Sequence, residues 1–334
     1  MPVKRSEEEI RAFLKNLATQ DWVKRSERRW WPHFVFHYTD IRNAARVLED
    51  GVLYSRLQAE SRGKLAVSSG SKVVLAGTHN DIKDYVRLYF RPKTPTQYHA
   101  EGIHSAQSLA ESPFPDAHCP VPVFFLFDAA NILSRQDCQF SDQGLGGHGY
   151  RLGSGLAALR QLPWKKIYHN TWIDWGNPAS AHEIVACRNA EVIVPKQLDL
   201  ESLRFVYCRS EAEKETLLFL LSPATRRHYQ AKIFASARSD PFFRRRTFIE
   251  SAWLTNTEIR LRFSPETQSP GPFHLRVELT TTGTFVKEAE DFTLRPPYEY
   301  TLSLRRPLSR YQIRVFLDEN LAYANTFEEI DLPF

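Results

Sequence analysis

The residue pattern of this 334-residue chain changes near Ser222-Pro223, and this change constrains the fold more than any other feature. Before it, segments with helical spacing of apolar residues alternate with short apolar segments typical of strands. After it, almost every apolar segment is strand-like, and turn sequences such as Ser269-Pro270-Gly271-Pro272 separate neighbouring segments. We therefore predict two domains, 1–222 and 223–334, with a mixed α+β fold followed by an all-β, sandwich-like fold.

The first domain is expected to begin with a helical extension, because Ile10, Phe13, Leu14 and Leu17 recur at helical spacing. Net charge says little about partners. Lys and Arg total 44 and Asp and Glu total 39, and a charge of +5 does not by itself indicate nucleic-acid binding. No apolar run approaches the roughly 20 residues of a membrane span, and the N-terminal residues lack a signal-peptide core. We expect a soluble, cytoplasmic protein with no membrane contact.

The four cysteines are Cys119, Cys138, Cys187 and Cys208. They form no Cys-x-x-Cys pair and have no paired histidines at metal-ligand spacing, so neither a zinc site nor a disulfide framework is indicated. We predict buried thiols and no bound metal.

Glu191 stands at the start of Val192-Ile193-Val194, a β-branched apolar segment that Pro195 ends. A carboxylate at the entry to a buried strand is costly unless it is paired, hydrogen-bonded or needed for chemistry. On this segment alone, the simpler interpretation is an edge-strand glutamate in water or paired with Arg188.

The segment from Phe34 to Thr39 is strand-like, and Thr39 or Asp40 can cap a helix that runs through Leu48. This places His37 and Thr39 where helix backbone N–H groups are free to bind a ligand's amide or phosphate. A histidine at such a position is more often simply hydrogen-bonded at the strand end. The polar residues 56–79 that follow predict a long loop, of the kind that forms lids or binding segments.

Residues 84–90 alternate like a strand, and the basic, proline-containing residues 91–98 predict a turn after it. The simpler interpretation is that Tyr85 and Tyr89 pack in the core. The alternative is an aromatic wall for a flat heterocycle, beside a cationic turn for phosphates. In the second domain the cations are almost all arginine, including those of Phe242-Phe243-Arg244-Arg245-Arg246. We interpret that domain as a binding or targeting module.

The order of these segments resembles the DarT family, ADP-ribosyltransferase toxins that modify nucleic-acid bases with NAD. The resemblance covers roughly residues 36–207. Five segments carry it, namely 37–43, 84–98, 140–142, 164–167 with Trp172, and 190–194. It implies a split β-sheet ADP-ribosyltransferase fold with NAD as co-substrate in a cleft. Two segments depart from the family pattern: Arg87-Leu88 replaces Pro-Phe, and Thr94-Pro95-Thr96-Gln97-Tyr98 replaces Ser-Pro-Met-Leu-Tyr.

The resemblance also implies roles for individual residues. Glu191 would be the catalytic carboxylate, with Glu183 as a competitor that lacks the family's sequence context. An ionised carboxylate suits the chemistry, because breaking the glycosidic bond of NAD builds positive charge on the ribose. The residues expected at the NAD site are His37, Thr39, Asn43, Tyr85, Tyr89 and Arg62, with Asn43 in a supporting role and Arg56 as the alternative arginine. The residues expected to contact nucleic acid are Arg87, Arg91, Lys93 and Arg188.

We therefore predict an NAD-dependent ADP-ribosyltransferase that modifies a base in nucleic acid, either single-stranded DNA or RNA. Single strands leave the target base exposed for attack. By resemblance, the protein would be the toxin of a toxin–antitoxin or phage-defence system, and an antitoxin, either a macrodomain hydrolase or a protein inhibitor, would counter it. The alternatives are transfer of ADP-ribose to protein, and a non-catalytic binding protein with an ADP-ribosyltransferase-like domain.

Overall fold

The computed structural model describes residues 2–24, 27–69, 80–235, 241–265 and 267–329. The first part of the chain is organised around an eight-stranded mixed sheet with the strand order β10-β9-β4-β1-β3-β7-β5-β6. Its strands are β1 (Phe34–Asp40), β3 (Tyr85–Tyr89), β4 (Pro122–Asp128), β5 (Gln139–Ser141), β6 (Leu152–Gly153), β7 (Glu191–Pro195), β9 (Leu203–Cys208) and β10 (Ile233–Ala235). A separate pair is formed by β2 (Val52–Tyr54) and β8 (Gln197–Asp199).

Helices cover this sheet and connect its strands. The α-helices are Pro2–Thr19, Asp21–Lys24, Ile41–Asp50, Arg56–Ser61, Asn80–Lys83, Pro95–Ala100, Ala106–Ala110, Ala129–Leu133, Gly155–Gln161, Trp164–Ile167, Pro178–Cys187, Glu211–Leu220 and Pro223–Tyr229, and the 3-10 helices are Glu27–His33 and Gln230–Lys232. The first helix lies where the sequence predicted a helical segment, and it buries Ile10, Leu14 and Leu17. Asp40 caps the helix that follows β1 by accepting a hydrogen bond from the Arg42 N–H, and Gly51, with a φ of 66°, ends it.

Two segments that the sequence predicted as loop or turn, Arg56–Ser61 and Pro95–Ala100, are helices instead, and a third helix, Pro178–Cys187, was not predicted. In each case the residue before the helix supplies a side-chain cap, from Ser55, Thr94 and Asn177 respectively. The two later helices also begin with proline, which suits the first turn because its missing N–H has no partner there. The polar residues around these caps are typical of loops, so the caps alone did not lead to a helix prediction. Within the loop predicted over 56–79, residues 70–79 lie outside the described residues.

The sheet divides between β1 and β3. Strand β1 pairs with β4 at seven positions, from Phe34 opposite Asp128 to Asp40 opposite Pro122. In the described structure it pairs with β3 at one position, where Phe36 lies opposite Tyr89. Beyond that point the two strands separate, and the last four residues of β1 leave an opening on that side. The predicted split sheet is confirmed.

The second part of the chain contains two antiparallel sheets. One contains β11 (Ile249–Leu254), β12 (Glu258–Phe263) and β15 (Glu299–Ser303), and the other contains β13 (Phe273–Thr280), β14 (Thr284–Phe292), β16 (Arg310–Leu317) and β17 (Asn320–Glu328). Buried residues from both sheets, such as Leu261 and Val277, belong to one hydrophobic core. The predicted sandwich-like fold is confirmed. Strand β10 lies beyond the predicted boundary at residue 222 but pairs with β9 in the first sheet, and the division at residue 222 stays a prediction.

Hydrogen bonds join the two parts through the helix Glu211–Leu220, which packs on β17. The Thr216 Oγ1 atom accepts from the Ala324 N–H at 3.0 Å, and the Tyr323 hydroxyl donates to Glu215 at 2.7 Å. The four cysteines are free and buried, as predicted. Among the described residues, no helix combines the length and apolarity needed to cross a membrane.

Candidate active site

A cavity of about 630 Å³ opens where β1 and β3 separate. Its volume falls in the range of about 300–1,000 Å³ that is usual for small-molecule sites. The predicted site residues that line it are His37, Thr39, Asn43, Tyr85, Arg87, Tyr89 and Glu191. The structure therefore brings together residues from β1, β3 and β7 that are far apart in the sequence.

Strand alternation explains why these side chains reach the cavity. On β3, Val86 and Leu88 point into the hydrophobic core, so Tyr85, Arg87 and Tyr89 lie on the opposite face and line the cavity. Strand β7 pairs with β3 so that Tyr89 lies opposite Glu191. The pairing of the two strands therefore fixes the position of the carboxylate beside the tyrosine.

Arg87 and the backbone of Leu145 hold the Glu191 carboxylate, which is 1% exposed. Arg87 donates from Nη2 to Oε1 at 2.6 Å and from Nε to Oε2, so that the contact is bidentate. The Leu145 N–H donates to Oε1 at 2.9 Å. Arg87 lies opposite Ile193, so the ion pair is a diagonal one across the two strands. These partners are all hydrogen-bond donors, and together they fix the position of both carboxylate oxygens.

The backbone of Glu191 is held as well. Its N–H donates to the Ser141 hydroxyl at 3.0 Å, and that hydroxyl donates to the Gln143 carbonyl at 2.6 Å. Gly144 approaches Asn189 so closely that an added Cβ would lie 2.9 Å from the Asn189 Cβ. Sequence reasoning missed the role of this loop, because a backbone donor such as the Leu145 N–H leaves no side-chain signal.

Burial sets the charge of the two ring side chains beside Glu191. It lowers the pKa of His37 to about 4, against the opposing effect of a hydrogen bond to the Arg87 carbonyl. The ring is therefore neutral near pH 7. Its Nδ1 atom lies 3.1 Å from that carbonyl oxygen, so Nδ1 must donate and Nε2 is left as an acceptor. Burial, followed by the charge of Glu191, raises the pKa of Tyr89 above its usual value and keeps the phenol neutral.

Arg87 carries a full charge. Burial acts to lower the pKa of Arg87, but the charge and hydrogen bonds of Glu191 outweigh burial and raise it. Arg87 was predicted to contact nucleic acid. The structure shows its guanidinium bound to Glu191 instead, at the position where the family pattern has proline.

Asn43 anchors the segment that forms one wall of the cavity. Its side-chain oxygen accepts from the N–H groups of Ala66 at 2.7 Å and Val67 at 3.1 Å, and its amide donates to the Val67 carbonyl at 2.8 Å. The same amide donates to the Thr39 hydroxyl at 3.3 Å. This geometry agrees with a supporting role for Asn43, because its hydrogen bonds all serve the protein.

The cavity lining carries more positive than negative charge. Counted over the described residues, it contains the cations Arg46, Arg56, Lys64, Lys83 and Arg87 and the carboxylates Asp50 and Glu191. Such a lining suits a ligand with phosphates. Arg56 is part of it, whereas the guanidinium of Arg62 lies 5.1 Å from the ring centre of Tyr54, outside the lining.

Two other predicted nucleic-acid contacts have structural roles. Arg91 is 1% exposed, donates to the carbonyls of Pro92 and Ile167, and stacks on Trp31 at 4.7 Å. This corrects the prediction, because a phosphate cannot reach a buried guanidinium. Arg188 donates to the backbone carbonyls of residues 169 and 171 and holds that loop.

The remaining predicted residues lie outside the cavity. The Lys93 ammonium is 3.7 Å from the Glu27 carboxylate. Glu183, the competing carboxylate, has a side chain that is 53% exposed and pairs with Lys166. The geometry therefore favours Glu191 as the functional carboxylate.

Comparison with known proteins gives one family match and several similar structures. The family model described as "ssDNA thymidine ADP-ribosyltransferase, DarT" matches residues 36–235. No curated protein sequence matches the chain. A Thermus sp. 2.9 DarT in complex with ADP-ribosylated ssDNA is similar with 18% identity and a TM-score of 0.49, covering 64% of this chain and 97% of that one.

Two further solved structures are similar at the same level. The Thermus sp. 2.9 DarT in complex with NAD+ has 19% identity and a TM-score of 0.46, covering 64% of this chain and 98% of that one. A Thermosipho africanus DarTG in complex with ADP-ribose has 14% identity and a TM-score of 0.45, covering 66% of this chain and 53% of that one.

Proposed function

The chain belongs to the DarT family, since the family model matches more than half of its length, and from this premise we propose that it transfers ADP-ribose from NAD to a thymidine base in single-stranded DNA. Glu191 is the catalytic carboxylate of this proposal. The observation that carries it is the meeting of Glu191, His37 and Tyr89 in one cavity at the split of the sheet. The family description supplies the acceptor.

The cavity offers a complementary surface to each part of NAD. Tyr85 and Tyr89 supply aromatic faces for the nicotinamide ring. The excess of cations in the lining suits the pyrophosphate. The neutral His37 and the Thr39 hydroxyl supply hydrogen-bonding groups for the nicotinamide-ribose end. In this arrangement the glycosidic bond of NAD lies next to Glu191.

The reaction breaks the bond between the ribose C1′ and the nicotinamide nitrogen, and the electron pair leaves with the neutral nicotinamide. Positive charge builds on the ribose, where the ionised Glu191 carboxylate stabilises it more strongly than in the ground state. A nitrogen of the base then bonds to C1′ and releases its proton, for which Glu191 is the nearby base. The Oε2 atom accepts a bond from Arg87 alone among the described donors, so it can also accept one from a ribose hydroxyl.

We extend the proposal to the biological role that the family resemblance implies. The protein acts as a toxin, and an antitoxin, either a macrodomain hydrolase or an inhibitor, neutralises it. The second domain acts as a binding or targeting module. A direct check is expression in bacteria, where the wild type is expected to arrest growth and the Glu191→Ala variant is expected to be tolerated. Equal toxicity of the two proteins would contradict this role.

The acceptor is tested by incubating the purified protein with labelled NAD and, in separate reactions, thymidine-containing single-stranded DNA, the same sequence as a duplex, RNA, and lysate protein. We expect label on the single-stranded DNA. A strand in which every thymidine is replaced is expected to stay unlabelled. Label on RNA or on protein would replace the proposed acceptor, and no label on any of them would favour a non-catalytic binding protein.

Two glutamate variants complete this experiment. Glu191→Gln should abolish labelling, while Glu183→Gln is the matched control, because Glu183 precedes the same strand but lies outside the cavity. Loss of labelling in the Glu183 variant with retention in the Glu191 variant would reverse the assignment.

A further inference from the structure

We propose that Arg245 and Arg246 bind the phosphates of the acceptor strand beside the mouth of the cavity. These residues follow the family match, which ends at residue 235, and they lead into the second domain. The inference rests on the proposed function, since it concerns the strand that carries the modified base. It assigns a substrate-binding surface to a segment outside the family's own domain.

The helix Pro95–Ala100 links this segment to the cavity. Pro95, Thr96 and His99 on that helix line the cavity. Tyr98, on the same helix, is 40% exposed. The Arg245 guanidinium lies over its ring, 3.8 Å from the ring centre. A strand leaving the cavity over this helix meets an aromatic ring and a cation together, the combination that single-stranded nucleic acids favour.

The segment is held in place by buried side chains of the first domain. The Glu101 carboxylate accepts from the backbone N–H groups of Phe243 at 3.0 Å and Arg244 at 2.8 Å. Gln97 donates to the Pro241 carbonyl at 2.8 Å. Because the backbone is fixed on both sides of Phe242, the two arginines are positioned before any ligand arrives, which reduces the entropy lost on binding.

The charges of these two arginines are not compensated. Within the described parts of the chain, no carboxylate lies within ion-pair distance of Arg245 or Arg246. Arg245 donates to the Gln268 side chain at 3.0 Å, and Arg246 donates from Nη1 to the Gln268 carbonyl at 3.4 Å, so both bonds go to uncharged acceptors. Burial and then the neighbouring Arg245 lower the pKa of Arg246. Burial, followed by the charge of Arg245, also lowers the pKa of His99. A phosphate beside these groups would relieve the repulsion.

The position favours a polynucleotide over the phosphates of NAD. The cavity has its own cations for NAD, and neither Arg245 nor Arg246 is among the residues that line it. An anion at this pair must therefore extend outside the cavity. A DNA strand with one base in the cavity places its flanking phosphates there.

The test measures binding of a fluorescent thymidine-containing oligonucleotide by anisotropy at several salt concentrations, without NAD. The variant is Arg245→Ala with Arg246→Ala. The control is Arg305→Ala with Arg306→Ala, which removes the same charge from an exposed pair between β15 and β16. We expect about tenfold weaker binding for the first variant, and a slope of log K against log salt that is smaller by about 1.4, since each phosphate contact contributes about 0.7 for single strands.

NAD cleavage without DNA checks the cavity and should be unchanged in both variants. Wild-type affinity and slope in the first variant, or an equal loss in the control, would overturn the proposal. If the alanine pair fails to fold, the Arg245→Gln, Arg246→Gln variant replaces it with the same expectation. The two proposals fail separately: oligonucleotide binding that depends on the arginine pair, with no transfer of ADP-ribose, contradicts the proposed function alone. If the wild type transfers ADP-ribose but replacing both arginines leaves oligonucleotide binding unchanged, this inference alone is contradicted.

Discussion

Two ion pairs of the same composition lie in different surroundings in this protein. Arg87 and Glu191 face the cavity, with side chains that are 27% and 1% exposed. Arg209 and Glu213 lie where the two parts of the chain meet, with Arg209 stacked on Phe248, and their side chains are 0% and 1% exposed. In each pair, one guanidinium donates two hydrogen bonds to one carboxylate.

The difference lies in what surrounds the pair. Arg209 and Glu213 are four residues apart, and packed atoms enclose them. Their hydrogen bonds therefore stabilise the fold. Arg87 and Glu191 come from two strands and border a cavity of about 630 Å³. Protein interiors are usually close-packed, and a buried charge beside open space is a feature of sites that bind ligands. Burial alone therefore does not distinguish a structural carboxylate from a functional one.

The largest expected effect on stability comes from breaking the enclosed pair. Glu213→Ala leaves the Arg209 charge buried without its main partner. We expect the free energy of unfolding to fall by about 3–5 kcal/mol, the usual cost of breaking a buried pair. Urea denaturation measures it.

The matched control is Glu211→Ala, since Glu211 is exposed on the same helix and pairs with Lys214. A surface pair of this kind contributes about 1 kcal/mol or less. If Glu213→Ala costs no more than Glu211→Ala, then the junction pair is not structural and the comparison fails.

The next effect concerns the pair at the cavity. Arg87→Ala removes the cation that holds Glu191, and we expect the rate of ADP-ribose transfer to fall on the order of 100-fold because the carboxylate loses its position.

Arg87→Lys keeps the charge without the fork geometry and is expected to lose only part of the rate. If the Arg87→Ala variant transfers ADP-ribose at the wild-type rate, then Arg87 does not position Glu191.

A smaller effect concerns His37. Burial lowers its pKa to about 4, below the value of about 6.5 in an unfolded chain. Between these values the unfolded state binds more protons, so the free energy of unfolding falls as the pH drops from about 6.5 to 4. His37→Asn should show a shallower dependence over that window than the wild type. Denaturation at four pH values measures the free energy of unfolding of the wild type and of the His37→Asn variant. The same pH dependence in the two proteins would exclude a buried, neutral His37.

Much of the fold could be predicted from the sequence, because its signals are local. Alternation on β3 and in the second part of the chain, and a helix cap at Thr39 or Asp40, were sufficient to predict those elements. The three missed helices have one-residue caps inside polar segments. In the site, Glu191, His37 and Tyr89 were predicted together through the family resemblance. The contact between Arg87 and Glu191 could not be predicted, because it depends on how the strands pair. The Leu145 donor could not be predicted either, because it is a backbone N–H.

In the proposed reaction, Glu191 acts on the bond that breaks. The most direct measurement compares nicotinamide release from NAD and NAD affinity in the wild type and in Glu191→Gln. We expect the Glu191→Gln variant to bind NAD with an affinity within a few-fold of the wild type and to release nicotinamide about 1,000-fold more slowly. Release at the wild-type rate from the Glu191→Gln variant would contradict it.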